Sequence, residues 1–200
     1  MLEEIIDRAR EEGESIRSLA LTGETFTALD LEELEFEDGS LSHCRFVGCS
    51  FAGCSFYRVK WDSCDFSNCS FAGSYWQGCD LRDSKGEGCD LRDSVWKRTA
   101  LRRCRMGMVN GDQSAWEGCT WEGCDWRGSF FTQCKLKTLT ARGTDLAGVS
   151  FFRTPLKGLD FSDCHIEGLT IGQSHSELQG LTIGAHQAQE LVKLLGLRIK

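Results

Sequence analysis

The feature that most constrains this chain is positional. All twelve cysteines, from Cys44 to Cys164, leave a remainder of four when their number is divided by five. All six tryptophans, Trp61, Trp76, Trp96, Trp116, Trp121 and Trp126, leave a remainder of one. A period of five fits neither the 3.6 of a helix nor the 2 of a flat strand. With the large residue as centre, the frame runs Leu21, Phe26, Leu31, Phe36 and onward to Leu181, with no insertion or deletion expected on the way. The centre fails to be large and apolar only at Gly86, Gly111, Ala141 and Ser176.

Each pentad has a consistent grammar. Two residues before the centre lies a small or modest residue, most often Cys; two after it lies Gly, Asp, Asn or another turn-compatible residue. The centre and the small residue point the same way, as alternate residues do in extended chain. The remaining residues turn a corner. Four such sides close a square of twenty residues, and coils stacked at a strand spacing of roughly 4.8 Å predict a rod of about eight coils, about 40 Å long. Rows of twenty put Phe36, Phe56, Trp76, Trp96 and Trp116 on one wall. Phe46, Phe66, Gly86, Met106 and Trp126 fall on the opposite wall, so Gly86 is expected to be compensated by Trp96 across the coil.

The pentads "CDLRD" (79–83 and 89–93), "CDFSN" (64–68), "TDLAG" (144–148) and "LDFSD" (159–163) resemble the pentapeptide-repeat family, whose motif is A-(D/N)-L-x-x. The resemblance spans roughly residues 19–183, with Cys mostly in place of the family's Ala. It implies an all-β, right-handed quadrilateral β-helix. The expected organisation is a capping helix and lead-in over 1–18, the β-helix over 19–183, and a C-terminal helix and strand over 184–200. An exposed sheet edge at either end of a repeat array needs covering. Leu2, Ile5, Ile6 and Ala9 form a helical stripe stopped at Gly13. A second helix is expected from Ala185 to about Leu195, with Ala188, Leu191, Val192 and Leu195 on the capping face, Leu194 off it, and Gly196 at its end.

The ending "QAQELVKLLGL" is similar to the tail of the quinolone-resistance pentapeptide-repeat proteins. That likeness implies a homodimer through the C-terminal segment, with Leu194, Leu197 and Ile199 at a two-fold interface.

No catalytic pattern emerges. His43, His165, His175 and His186 sit in no H-E-x-x-H and beside no patterned nucleophile, and no phosphate-binding glycine loop occurs. Cysteine spacings of five, ten and fifteen do not make convergent zinc clusters. Small core residues explain them better than a metal or redox buffer. No enzyme, cofactor or metal is expected. No run of eighteen apolar residues predicts a membrane helix, and the acidic start "MLEEIIDRAR" is unlike a secretion signal. A cytoplasmic protein is expected.

Charge is uneven. Residues 1–40 hold thirteen acids and three bases, a net of −10 against −7 for the whole, so residues 41–200 carry +3. Family members that protect topoisomerases are thought to imitate duplex DNA. Such a mimic should be acidic along its length, and this chain is not; its unbroken frame also leaves no projecting loop. The columns instead gather Arg58, Lys97, Arg98, Lys135, Lys137 and Lys157 into a basic strip, with Glu117 among them, where an acidic partner could dock. The functional expectation is a non-catalytic protein-binding or scaffold protein. The alternative is a gyrase-interacting, quinolone-protecting protein, with no direct binding to nucleic acid or membrane.

Overall fold

The computed structural model describes residues 2–194 and 196. The chain is a parallel β-solenoid. Four sides follow one another: side A with centres Phe36, Phe56, Trp76, Trp96, Trp116 and Leu136; side B with Leu41, Trp61, Leu81, Leu101, Trp121 and Ala141; side C with Phe46, Phe66, Gly86, Met106 and Trp126; and side D with Phe51, Phe71, Leu91, Gly111 and Phe131. Centres pair with the residue twenty positions on, as Trp76 with Trp96 and Trp61 with Leu81. Sides A and B are each seven-stranded parallel sheets. Side C has one two-stranded ladder, Thr25–Thr27 with Arg45–Val47, and otherwise single bridges; side D is bridged throughout.

The corners explain the grammar. From Leu21 to Leu156 and again after Ile166 the residue two after the centre is left-handed, as at Asp38 (φ 56°), Arg58 (φ 55°), Gly78 (φ 66°) and Arg98 (φ 47°). Gly, Asp and Asn accept that conformation at least cost.

The small residue does more than fill space. Where it is Cys, its thiol hydrogen in most pentads donates to the carbonyl of the centre 23 positions earlier. Cys64 Sγ reaches Leu41 O at 3.4 Å, Cys79 Sγ reaches Phe56 O at 3.3 Å, and Cys89 Sγ reaches Phe66 O at 3.0 Å. Ser129 and Thr154 repeat the bond to Met106 O and Phe131 O. On side A the same position also serves tryptophan: the Nε1–H of Trp76, Trp96 and Trp116 donates to Ser74, Ser94 and Ser114 Oγ at 2.8–2.9 Å. Trp61, Trp121 and Trp126, preceded at that position by Val59, Cys119 and Cys124, have buried Nε1 groups with no hydrogen-bond partner. Cys119→Ser therefore gives Trp121 a partner, and chemical denaturation is expected to show a gain of up to about 1 kcal/mol. A loss would mean that packing of the thiol outweighs that bond.

Four expectations need correcting. Gly86 is compensated along its own wall: a Cβ there would collide with Phe66 Cε2 and lie 2.8 Å from Met106 Sδ. The vacant volume is taken by the coils above and below rather than by Trp96. The coil count is also lower. Seven rungs make six complete turns of sheet, because beyond Arg142 strand pairing gives way to single bridges such as Asp145 with His165 and Ser150 with Thr170.

The frame itself does slip. Asp160 pairs with Thr182, not residue 180, so two extra residues enter the last coil. Ile183, not Leu181, comes above Phe161. The third correction follows from a side chain. Gln133 N–H donates to Phe152 O at 3.0 Å, but one coil later Arg153 N–H finds the carboxylate of Glu177, Oε1 at 2.9 Å, where a carbonyl would have been. Gly172 N–H donates to the same oxygen at 3.1 Å.

Helix α1 (Leu2–Glu12) buries Leu2, Ile6 and Ala9 over the first coil. It ends at Gly13 (φ 64°), with Glu14 N–H closing back on Ala9 O at 3.1 Å, a C-cap that needs the left-handed residue. At the other end a 3₁₀ turn, Ala185–Gln187, precedes helix α2 (Ala188–Leu194). The fourth correction concerns its face: Leu191 and Leu194 both pack against the core, while Ala188 is exposed. Leu195 lies outside the described residues. Gln187 seals the last coil. Its Nε2 donates to Phe161 O at 2.8 Å and to Cys164 O, and its Oε1 accepts Gly184 N–H at 2.7 Å. No helix among the described residues is long and apolar enough to cross a membrane.

Candidate interaction surfaces

The interior offers little room for chemistry. Its axis is a continuous stack of rings, with Trp76, Trp96 and Trp116 lying parallel at centroid distances of 4.3 and 4.5 Å. A cavity of about 20 Å³ beside Leu2, Leu21 and Phe36 has only apolar walls.

The twelve cysteines are free and buried, and among the described residues no three His, Cys, Asp or Glu converge as metal ligands. Burial pushes the Cys54 and Cys64 thiols up to about 12 and those of Cys79 and Cys119 up to about 11. Thiolate, the reactive form, is thus disfavoured. A thiol reagent at pH 8 is expected to label essentially none of the cysteines in the native protein and all twelve in denaturant. Labelling of most of them without denaturant would contradict this packing.

The basic strip forms on side A and its corner, but only part of its charge is free. Arg58 makes a two-pronged pair with Asp38, at 2.7 and 2.9 Å, and reaches Glu37 at 2.6 Å. The Arg58 guanidinium holds the Asp38 carboxyl below the usual range. Lys137 pairs with Glu117 at 2.9 Å and lowers its carboxyl likewise. Lys97 lies over the Tyr75 ring, 5.5 Å from its centroid. Arg98, Lys135 and Lys157 have no ion-pair partner among the described residues. The strip is therefore a column in which Lys97, Arg98, Lys135 and Lys157 are unpaired among the described residues while Arg58 and Lys137 are neutralised by acids one rung below, weaker than the sequence implies. Sides B and C neutralise themselves further, through Asp80–Arg102–Glu122 and Asp125–Arg127–Asp145.

At the C-terminal end, Leu194 is half-buried against its own core; Leu197 and Ile199 lie outside the described residues. Sequence reasoning missed Glu177 and Gln187, the two buried polar side chains that close the top. One signal was present: Ser176, the centre that breaks the rule, stands next to Glu177 at the slip. It also missed a neutral, aromatic region on side D, where Phe130 and Phe152 face outward with 48 % and 38 % of their surfaces exposed.

A closed solenoid with filled axis and flat sides defines a repeat protein. Residues 19–96 match the family described as "Pentapeptide repeat region", and the same five-residue frame continues in the structure through Ile171. Among solved structures, a trypsin-treated form of QnrB1, a plasmid-mediated fluoroquinolone resistance protein, is 23 % identical. That likeness covers 94 % of this chain and 100 % of that chain at a TM-score of 0.41. HetL, a pentapeptide repeat protein involved in heterocyst differentiation regulation from the cyanobacterium Nostoc sp. strain PCC 7120, is 11 % identical. It covers 88 % of this chain and 92 % of that chain at a TM-score of 0.42. No curated protein matches the sequence.

Proposed function

We propose that this protein is a non-catalytic, cytoplasmic binding or scaffold protein that engages a protein partner through the sides of the rod. The observation that carries the reading is the filled axis. Most small polar side chains inside it hold backbone groups, and among the described residues the axis has no cavity larger than about 20 Å³, walled by apolar residues, to hold a catalytic constellation. What remains is flat, rigid β-surface. Chromatography of the endogenous protein from lightly cross-linked cells tests this: it should elute well above the size of a homodimer. Elution as bare protein, with no cross-linked partner, contradicts it.

A homodimer through the C-terminal segment fits the half-buried Leu191, Val192 and Leu194 on one short helix, with Leu197 and Ile199 continuing the apolar sequence. Light scattering on the purified protein is expected to give twice the 22.4 kDa chain mass. A monomer at tens of micromolar would sink this part of the reading.

The gyrase-protecting alternative finds no support in the charge pattern. The net acidity is concentrated in the first forty residues, while residues 41–200 carry a net charge of +3, with arginine–carboxylate pairs such as Arg103–Asp83 and Arg127–Asp125 among them. Titration into a DNA gyrase supercoiling assay, with and without a fluoroquinolone, is expected to show no effect at tens of micromolar. Inhibition or drug rescue would reinstate that alternative.

A further inference from the structure

Within the four rungs from Asn110 to Thr170, side D differs from the other sides. Its outward positions are mostly uncharged: Asn110, Gln113, Thr132, Gln133, Ser150 and Thr170. The same rungs of side C carry Arg105, Asp125, Arg127 and Asp145. Three of the four exposed large hydrophobic residues among the described residues lie here or at the adjoining corner: Met108 (67 % exposed), Phe130 and Phe152. Met108 lies over the corner glycine Gly128. Depletion of charge around exposed Phe, Met and Arg is the composition of an interface core.

Two charges remain, and their states differ. Asp112 is occupied, its Oδ1 accepting Thr132 N–H at 2.8 Å. Arg153 has no ion-pair partner among the described residues, and its guanidinium lies 5.1 Å from the centroid of the Phe152 ring. Beyond Phe152 opens a surface cavity of about 630 Å³ lined by Arg153, Pro155, Gln173, Ser174 and Glu177 among others.

The occupant is limited by hydrogen bonding and by area. Asn110 bridges Phe130, Phe130 bridges Ser150, and Ser150 bridges Thr170. The backbone of this side is committed up the stack, so no strand can be added to it. A partner must present side chains. Four rungs at a spacing of roughly 4.8 Å, with a side about 12 Å wide, give on the order of 200–250 Å². A stable dimer buries about 800 Å² per partner, so the patch suits one element rather than a second rod. Its height of about 19 Å matches a helix of about twelve residues. A neutral patch also gives nothing to a nucleic-acid backbone or to the acidic first coils of another copy.

We propose that side D between Asn110 and Thr170 docks an amphipathic α-helix of a partner protein. Its apolar stripe, spaced i, i+3/4, i+7, covers Met108, Phe130 and Phe152, and an acidic residue at one end meets Arg153. Arginine beside aromatics is a frequent hot-spot pairing, which places most of the binding at Phe152 and Arg153. This rests on the protein-binding reading above and names its face and partner chemistry.

The test places the photoreactive residue benzoylphenylalanine at Thr132 (side D) of the full chain, in cells of the source organism. Parallel proteins carry it at Gln77 (side A), Arg82 (side B) or Ala147 (side C). The expected result is an adduct at Thr132 whose cross-linked segment, sequenced by mass spectrometry, shows the apolar helical spacing. Phe130→Glu with Phe152→Glu should reduce that adduct at least tenfold, at unchanged melting temperature. Adducts confined to other sides would overturn this proposal and leave the protein-binding reading standing. So would an adduct at Thr132 to nucleic acid, to a second copy, or to a charged segment without apolar periodicity. No adduct on any side would overturn both.

Discussion

Trp96→Ala is expected to be the most damaging single substitution in the rod, costing about 3–5 kcal/mol in chemical denaturation. Trp96 is fully buried, stacked 4.3 Å above Trp76 and 4.5 Å below Trp116 with ring planes within 6°. Truncation removes two stacking contacts and leaves a cavity that committed ladders on both sides cannot close. The position matters as much as the size. Each coil of a repeat array is stabilised by its neighbours, so a gap at mid-rod weakens the coupling between the Trp61 and Trp121 ends. A broadened or two-step transition should accompany the loss. Trp96→Phe keeps a ring in the stack and releases Ser94, whose hydroxyl still donates to Leu91 O, so it should cost distinctly less. A loss below about 1 kcal/mol for Trp96→Ala would mean that the coils collapse around the gap and that the ring ladder is dispensable.

The second large effect belongs to Glu177, only 4 % exposed. Burial alone would raise its carboxyl. The backbone N–H groups of Glu177 itself, Arg153 and Gly172 outweigh burial and hold it below the usual glutamate range. Glu177→Ala strands the buried Gly172 donor and the part-buried Arg153 donor, and each bond to a charged acceptor is worth about 1.5–3 kcal/mol. The last coil should fray, read as fast hydrogen exchange at the Arg153 and Gly172 amides, while residues 40–140 stay protected. Glu177→Gln keeps a carbonyl oxygen for both donors and should lose much less at neutral pH. The pH sign follows from the depressed carboxyl. Its contribution is present above the unfolded value of about 4.3 and is lost as pH falls through the lower folded value. Acid should therefore loosen this end in the native protein, while Glu177→Gln should lack that pH-dependent loss. Equal acid sensitivity in both proteins would show that the carboxylate does not secure the slip.

Most of the rod was legible because one positional rule serves three physical demands. Centres such as Phe56 and Trp76 need bulk, Cys79 and Ser94 need to be small and carry a donor, and Asp38 or Gly78 must turn left-handed. All three demands recur every five residues, so the linear pattern reports them directly. What the pattern hid lies where it stops. At Ser176 and Glu177 a side chain replaces a backbone carbonyl, and an unbroken count of fives runs past a two-residue slip without registering it. Gly86 was read correctly as a missing side chain, but its compensation came from vertical neighbours, which a coil-by-coil view underweights. The basic strip was legible as a column of residue types. That Arg58 and Lys137 are neutralised depends on acids at Asp38 and Glu117 one rung below, a register effect. The neutral region of side D carries no motif, and only exposure of Phe130 and Phe152 reveals it.

The central claim is that this chain is a rigid, filled rod whose function resides on its faces. Hydrogen exchange by mass spectrometry over the whole protein tests it most directly. Residues 40–170 should exchange slowly and as one cooperative block, with faster exchange only toward the two caps. A fast-exchanging segment within the middle coils would contradict the account, because it would reveal a mobile loop able to open a site inside the rod.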